Sequence, residues 1–266
     1  MLATLARLAA LVLLCALALQ LYFLARVLLM TIVDPQSTTF QRSEAWRLAT
    51  VKRDLRWSQQ WTPYDRISDS LKRAVIASED AGFTEHSGVE WDAIEKAWER
   101  NQSAEERAER ANARAAARAQ AQTSARPDAR AGEPRPPTRA PTPPKVVGGS
   151  TITQQLAKNL FLGGERSLAR KGQEFVITMM MEAVLGKPRI LEIYLNSVEW
   201  GEGVFGAEAA ARHYFRVGAD KLGPLQAAQL SVMLPAPKRF EKRPHSPYVL
   251  GRAATVAARM GSVELP

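Results

Sequence analysis

The sequence predicts a mainly α-helical protein carried on one N-terminal transmembrane helix. Three observations predict it: an uncharged apolar run near the amino end, helical spacing of apolar residues on both sides of a central low-complexity stretch, and no convincing alternation of the kind a half-buried strand shows. The chain has 266 residues, 46% of them hydrophobic, which is enough for a core. Its 36 Lys and Arg against 27 Asp and Glu leave a net charge of +9, a balance that suits an anionic partner such as nucleic acid, a membrane surface or a phosphorylated substrate. Solvated surface is the plain alternative until those charges are tied to a site.

The amino end comes first. "LAALVLLCALALQLYFLA", residues 8–25, contains no charge, and after Arg26 the apolar character resumes with "VLLMTIV". About 20 apolar residues suffice to span a bilayer as a helix. "ALA" at 16–18 resembles a signal cleavage site, but the apolar run continues well past it, beyond the roughly 7–15 residues of a signal h-region. Residues 1–33 are therefore read as an uncleaved membrane anchor. Its flanking charges leave orientation open, since Arg7 precedes the span and Arg26, Arg42, Arg47, Lys52 and Arg53 follow it. The single cysteine, Cys15, lies inside this run, so an intramolecular disulfide is excluded and a cysteine metal cluster disfavoured.

Residues 34–66 form a juxtamembrane segment whose tryptophans, Trp46, Trp57 and Trp61, suit either the membrane interface or packing on the domain. The main domain is placed at 67–260. Its first helix is marked by Leu71, Ala74 and Val75 on one side, and a second amphipathic run passes through Trp91, Ile94 and Trp98. An Ala/Arg/Pro-rich insert, 101–147, interrupts it. The first half of the insert reads as a solvated helix, and its proline-rich second half cannot build a core, so composition predicts a mobile linker. From Gly148 onward helical patterning returns, punctuated at "LGG", "GKP", "WGEG" and "LPAP", and a short tail occupies 261–266.

Two windows carry chemistry. In "ASEDAGFTEHSG", residues 77–88, continuation of the first helix places Glu79 beside the apolar stripe and turns Asp80 about 100° toward the polar side. A carboxylate at an apolar margin has its pKa raised by desolvation, as a general acid or base requires, so Glu79 is the better candidate. Phe83 and His86 read as groups that fix the loop, and Gly88 as the residue that permits its turn. In "GGSTITQQLAKN", residues 148–159, Thr151 and Gln154 have capping-box spacing. The exposed N–H groups of such a helix start, with the hydroxyls of Ser150 and Thr151, predict an anion site, and Gln154, Gln155 and Lys158 share a face. "ERSLARKGQE" adds Arg166, Arg170 and Lys171, with Glu174 three and four residues after the last two, a salt-bridge spacing. The following "FVITMMMEAVL" reads as core helix. Two separated carboxylates with a basic, phosphate-friendly strip between them suit sugar transfer, one acid activating a hydroxyl while cations hold a leaving diphosphate.

No other constellation competes. His86, His213 and His245 lack metal-ligand spacing, there is no Walker or dinucleotide fingerprint, and the basic residues show no nucleic-acid-binding signature.

In order, "EDAGFTEHSG", "GGSTITQQLAKN", "RKGQE", "KPRILEIYLN" and "GRAATVAARM" resemble the five motifs of the peptidoglycan glycosyltransferases, glycosyltransferase family 51. The resemblance covers roughly residues 67–260 apart from the insert. It implies a lysozyme-like, two-lobed, mainly α domain of the monofunctional, membrane-anchored kind, on the periplasmic side of the bacterial inner membrane. It implies polymerisation of lipid II into β-1,4-linked glycan, with release of the undecaprenyl diphosphate carrier. By position, Glu79 would take the proton of the acceptor 4-hydroxyl in an inverting reaction, and Lys158 and Arg166, with Arg170 and Lys171 nearby, would hold the donor diphosphate. Glu174 matches a second acid, at the leaving group or on a divalent cation (Mg or Mn); no cofactor is obligatory. Ser150, Thr151, Gln154, Gln155 and Asn159 match a substrate-contacting motif, while Tyr194 and Asn196 read as structural. Gln173 stands where some relatives carry a basic residue, and Glu90 where Asp is frequent. The rivals are a lysozyme-like hydrolase or lytic transglycosylase, which needs no diphosphate grip, and a silent membrane-anchored scaffold for divisome or elongation proteins.

Overall fold

A computed structural model describes residues 2–91, 95, 99, 102–104, 106–114, 117, 149–165 and 167–266. The chain forms two compact units, one of residues 1–89 with 150–266 and one of residues 90–149. In the smaller unit the described residues between 91 and 117 are helical and mostly exposed, tied by local contacts such as Arg107 Nε donating to the Ser103 carbonyl at 2.8 Å. From residue 102 onward, the described residues agree with the solvated helix expected for the first half of the insert. Ile94, Trp98, Asn101 and the proline-rich half of the insert lie outside the described residues.

The larger unit is helical, as the patterning predicts. Helix α1 (Leu2–Leu29) is long and apolar enough over Ala3–Leu29 to cross a membrane, and most of its side chains are exposed. Its last two turns differ: Phe23 and Val27, with Met30 just beyond, are buried in the core shared with the rest of the unit. Phe23 meets Phe161 edge-on at 5.5 Å, and Gln20 exchanges two amide hydrogen bonds with Gln173, at 2.8 and 3.0 Å.

The segment expected to be juxtamembrane is built into this unit. Helix α2 (Thr39–Arg47) opens with a Thr38/Gln41 capping box, and the buried Gln41 also donates to the Ser197 carbonyl at 3.2 Å. A π-helical turn, Leu48–Lys52, ends at Arg53 in the left-handed region, φ 53°. Strand β1 (Ser58–Gln59) then pairs in parallel with β3 (Val204–Phe205), which pairs antiparallel with β2 (Glu199–Gly201) through a bulge. This three-stranded sheet was not expected; strands of two or three residues are too short to show alternation. Trp57 stacks on Phe205 at 4.4 Å, Trp61 lies under the Arg189 guanidinium at 5.6 Å, and Trp46 remains exposed.

Helix α3 (Asp69–Glu79) buries Leu71, Ala74, Val75 and Ile76 on the expected stripe. After the insert come α4 (Ile152–Phe161), α5 (Leu168–Val184), α6 (Lys187–Ser197), α7 (Ala207–Phe215), α8 (Pro224–Met233), a short α9 (Pro237–Phe240) and α10 (Pro247–Arg259). Helices α3, α8 and α10 pack together, and α4 lies between α5 and α6. That placement lets α4 face the end of α3. The apolar run of α5 is core on one side only. Ile177, Thr178 and Met181 are buried, whereas Phe175, Val176 and Met179 each keep part of their surface exposed.

Candidate active site

Glu79 is the last residue of α3, and the chain leaves the helix at Asp80, whose backbone is at φ −161°, ψ 75°. The expected 100° step toward the polar side therefore does not apply. Asp80 is the more buried of the two acids, and Glu79 is half-buried. Asp80 Oδ2 accepts the Ile152 backbone N–H at 2.9 Å, and Oδ1 lies 2.7 Å from His86 Nε2. His86 Nδ1 accepts the Gly88 N–H at 3.1 Å, which leaves Nε2 to carry the proton that Asp80 receives. Phe83 is fully buried. Gly88 has φ +83°, and a Cβ there would stand 2.7 Å from atoms of Thr178 and Glu182. The loop is fixed by the residues the sequence assigned to that task.

Helix α4 begins with the predicted capping box, Thr151 accepting from the Gln154 N–H and Gln154 Oε1 from the Thr151 N–H. Its anion-binding capacity, however, is used inside the protein. The carboxylate of Asp80 occupies the helix start, where backbone donors and the helix dipole favour negative charge. Thr151 and Gln154 are buried, and the Thr151 hydroxyl donates to the Gly88 carbonyl at 2.7 Å. Two residues expected to touch substrate are thus the cap that joins α4 to the Glu79 loop. Ser150 is half-buried and offers its carbonyl to Gln155 at 3.4 Å, and Asn159 is half-buried farther along the helix.

One face of α4 does look outward, through Gln155 and Lys158. Gln155 Nε2 donates to Glu79 Oε2 at 3.0 Å, and its Oε1 accepts the Tyr194 hydroxyl at 3.1 Å. Burial raises the Glu79 pKa above the usual carboxylate range; the Gln155 hydrogen bond opposes that rise and the charge of Asp80 adds to it. Tyr194 is fully buried, which pushes its phenol well up and keeps it protonated.

Lys158 lies three residues beyond Gln155, about 4.5 Å along the helix axis. Its side chain is exposed, yet the surrounding protein lowers its pKa; Glu174 opposes that, and Arg170 and Lys171 reinforce it. Those three groups sit on the first turns of α5. The buried Glu174 carboxylate is held by Arg170 Nη1 at 2.8 Å and by the Lys171 ammonium on its other oxygen, the pairing the spacing predicts. Arg170 Nε is buried with no hydrogen-bond partner among the described residues. Arg166 lies outside the described residues. Glu174 does not suit a divalent cation, because both its oxygens face cations and Lys158 adds a third positive charge nearby.

Sequence reasoning missed several supporting groups. Glu182 accepts the Thr153 hydroxyl at 2.6 Å and the Lys187 ammonium at 2.9 Å, while Lys187 also lies 4.5 Å from the Phe83 ring centre. This braces the loop after Glu79 against α4 and α6. Glu182 and Lys187 are only five residues apart, but Thr153 and Phe83 reach them from other parts of the chain, and no local spacing announces that meeting.

A protein-family profile described as Transglycosylase matches residues 47–111 and 139–261, spans that contain both carboxylates and the cation cluster. Similar curated proteins are each named "Biosynthetic peptidoglycan transglycosylase". That of Burkholderia thailandensis is 48% identical over 250 residues, covering 94% of this chain and 83% of the relative. That of Paraburkholderia xenovorans is 47% identical over 251 residues, covering 94% and 88%, and that of Burkholderia lata is 48% identical over 250 residues, covering 94% and 86%. With motif residues seated on one helix between a carboxylate and a cation cluster, and with similarity of this depth along nearly the whole chain, the protein belongs to the transglycosylase family, whose domain is mainly α and lysozyme-like.

Proposed function

We propose that this protein is a peptidoglycan glycosyltransferase that polymerises lipid II into β-1,4-linked glycan strands for the bacterial cell wall. The observation that carries the reading is the outward face of α4, which puts Gln155 on the Glu79 carboxylate and Lys158, one turn on, beside Arg170, Lys171 and Glu174. Glu79 acts as general base. It takes the proton of the acceptor 4-hydroxyl as that oxygen bonds to the anomeric carbon of the lipid-linked donor chain. The bond from that carbon to the diphosphate breaks on the opposite side, the leaving group keeps the electron pair, and the configuration inverts.

Lys158, Arg170 and Lys171, with Arg166, neutralise the departing diphosphate. Glu174 holds Arg170 and Lys171 in place and limits the local charge. Helix α1 anchors the chain in the inner membrane with the catalytic unit on the periplasmic side, where a lipid-linked substrate meets it. A dianionic ligand beside Lys158 works against the lowering of its pKa, because nearby negative charge favours the ammonium form.

The test is incorporation of labelled lipid II into polymer by the purified full chain in detergent, wild type against Glu79→Gln. Lysozyme-sensitive polymer from wild type and a loss of at least about 10²-fold in the variant is the expected result, the cost of removing a general base. A wild type that degrades preformed glycan and makes no polymer would replace the transferase by the hydrolase.

A further inference from the structure

We infer that Tyr194 is a positioning residue for Glu79, acting through Gln155: the buried phenol fixes which end of the Gln155 side-chain amide faces the carboxylate. This rests on the proposed role of Glu79 as general base. A glutamine side chain fits its pocket in two orientations that differ in chemistry. With the amide nitrogen toward a carboxylate it donates a hydrogen bond and favours the charged form; with the carbonyl oxygen there it repels the charged form.

The surroundings choose the first orientation. Gln155 Nε2 faces two acceptors, Glu79 Oε2 at 3.0 Å and the Ser150 carbonyl at 3.4 Å, while Oε1 faces the Tyr194 hydroxyl at 3.1 Å. The Tyr194 hydroxyl has no other acceptor among the described residues, so its proton goes to Oε1 and a flipped amide would leave that proton buried and unpaired. The groups that bear on Glu79 come from three elements. Asp80 adjoins it at the end of α3, its own carboxylate committed to His86 and Ile152; Gln155 reaches it from α4; and Tyr194 stands behind Gln155 on α6. The relay is the one contribution among them that favours an ionised Glu79, because burial and Asp80 both oppose it.

The experiment measures the pH profile of lipid II polymerisation by the full chain for wild type, Tyr194→Phe, Gln155→Met and the double variant. Its companion is the Glu79 carboxylate titration by 13C NMR, the resonance being identified by its loss in Glu79→Gln. Freeing or removing the amide should move the acid limb and the NMR titration upward by about one pH unit, the worth of one hydrogen bond to a charged group. Rate should recover toward wild type on the alkaline side, and the double variant should shift no further than Gln155→Met alone. An acid limb and a Glu79 titration unmoved in Tyr194→Phe, with activity reduced equally at every pH, would show Tyr194 to be packing only. The NMR arm reads the relay even if the protein makes no polymer, so failure of the glycosyltransferase reading and failure of the relay give different results. If Tyr194→Phe does not fold, Gln155→Met carries the same prediction, and an unmoved titration there overturns it.

Discussion

Asp80→Asn should weaken the fold and shift the chemistry of its neighbour in the same experiment. The wild-type carboxylate receives two donors, the Ile152 N–H at 2.9 Å and His86 Nε2 at 2.7 Å. An asparagine offers one oxygen and one NH2, so one of those buried donors would face another donor. A buried polar group left unpaired costs about 1–3 kcal/mol. Loss of negative charge at the start of α4 adds about 0.3–1 kcal/mol, and up to ~2 in a partly buried setting. Together they come to roughly 2–4 kcal/mol, or a fall of roughly 5–15 °C in Tm for a chain of this size. The Asp80 charge also raises the Glu79 pKa. Removing it lets Glu79 ionise at lower pH, so the acid limb of polymerisation should move down, the opposite direction from the Tyr194 variant. Thermal unfolding followed by circular dichroism and a pH–rate profile read the two effects. A Tm within 2 °C of wild type by that measurement, or an acid limb that moves up, would refute the assignment of Asp80 as the internal anion of α4.

Two further expectations concern charge. Lys158→Met should leave Tm nearly unchanged, because the side chain is exposed, while lowering kcat/KM for the lipid-linked donor about 10–100-fold, the worth of a charge-assisted contact; an unchanged kcat/KM would remove Lys158 from the diphosphate site. Glu199 on β2 has its pKa raised from 4.5 to about 7, first by burial, with Lys238 opposing and Glu44 adding. The fold therefore holds its proton more tightly than the unfolded chain does, and stability falls as pH rises from 4.5 to about 7, by up to about 3 kcal/mol above that window. Glu199→Gln should lack that slope, gaining on wild type between pH 5 and pH 8 in paired melts; a difference independent of pH would show that Glu199 is ionised throughout.

Local grammar made part of the site legible. The Thr151/Gln154 box and the Arg170/Lys171/Glu174 set involve residues three or four apart on one helix, so spacing alone placed them, and desolvation of Glu79 followed from the stripe of α3. The reading failed where the chain leaves regular structure or where distant segments meet. Asp80 turns inward because it ends a helix, a change that a helical wheel carried one residue too far does not represent. Gln155 meets Glu79 from 76 residues away and Tyr194 from 39, and no periodicity encodes such a meeting. The fifth motif, by contrast, lies where helical patterning placed it, with Val249, Ala253 and Val256 of α10 turned inward.

The buried end of α1 has a practical consequence for handling this protein. A soluble version made by cutting the chain after Leu29 would remove Phe23 and Val27 from a shared core, expose Phe161 and deprive Gln173, the neighbour of Glu174, of both its amide partners. Such a truncation alters the wall of the catalytic unit as well as its attachment. In the intact chain the same contacts seat α5 directly against the end of α1, so the working surface is joined to the apolar helix through shared packing as well as through the backbone.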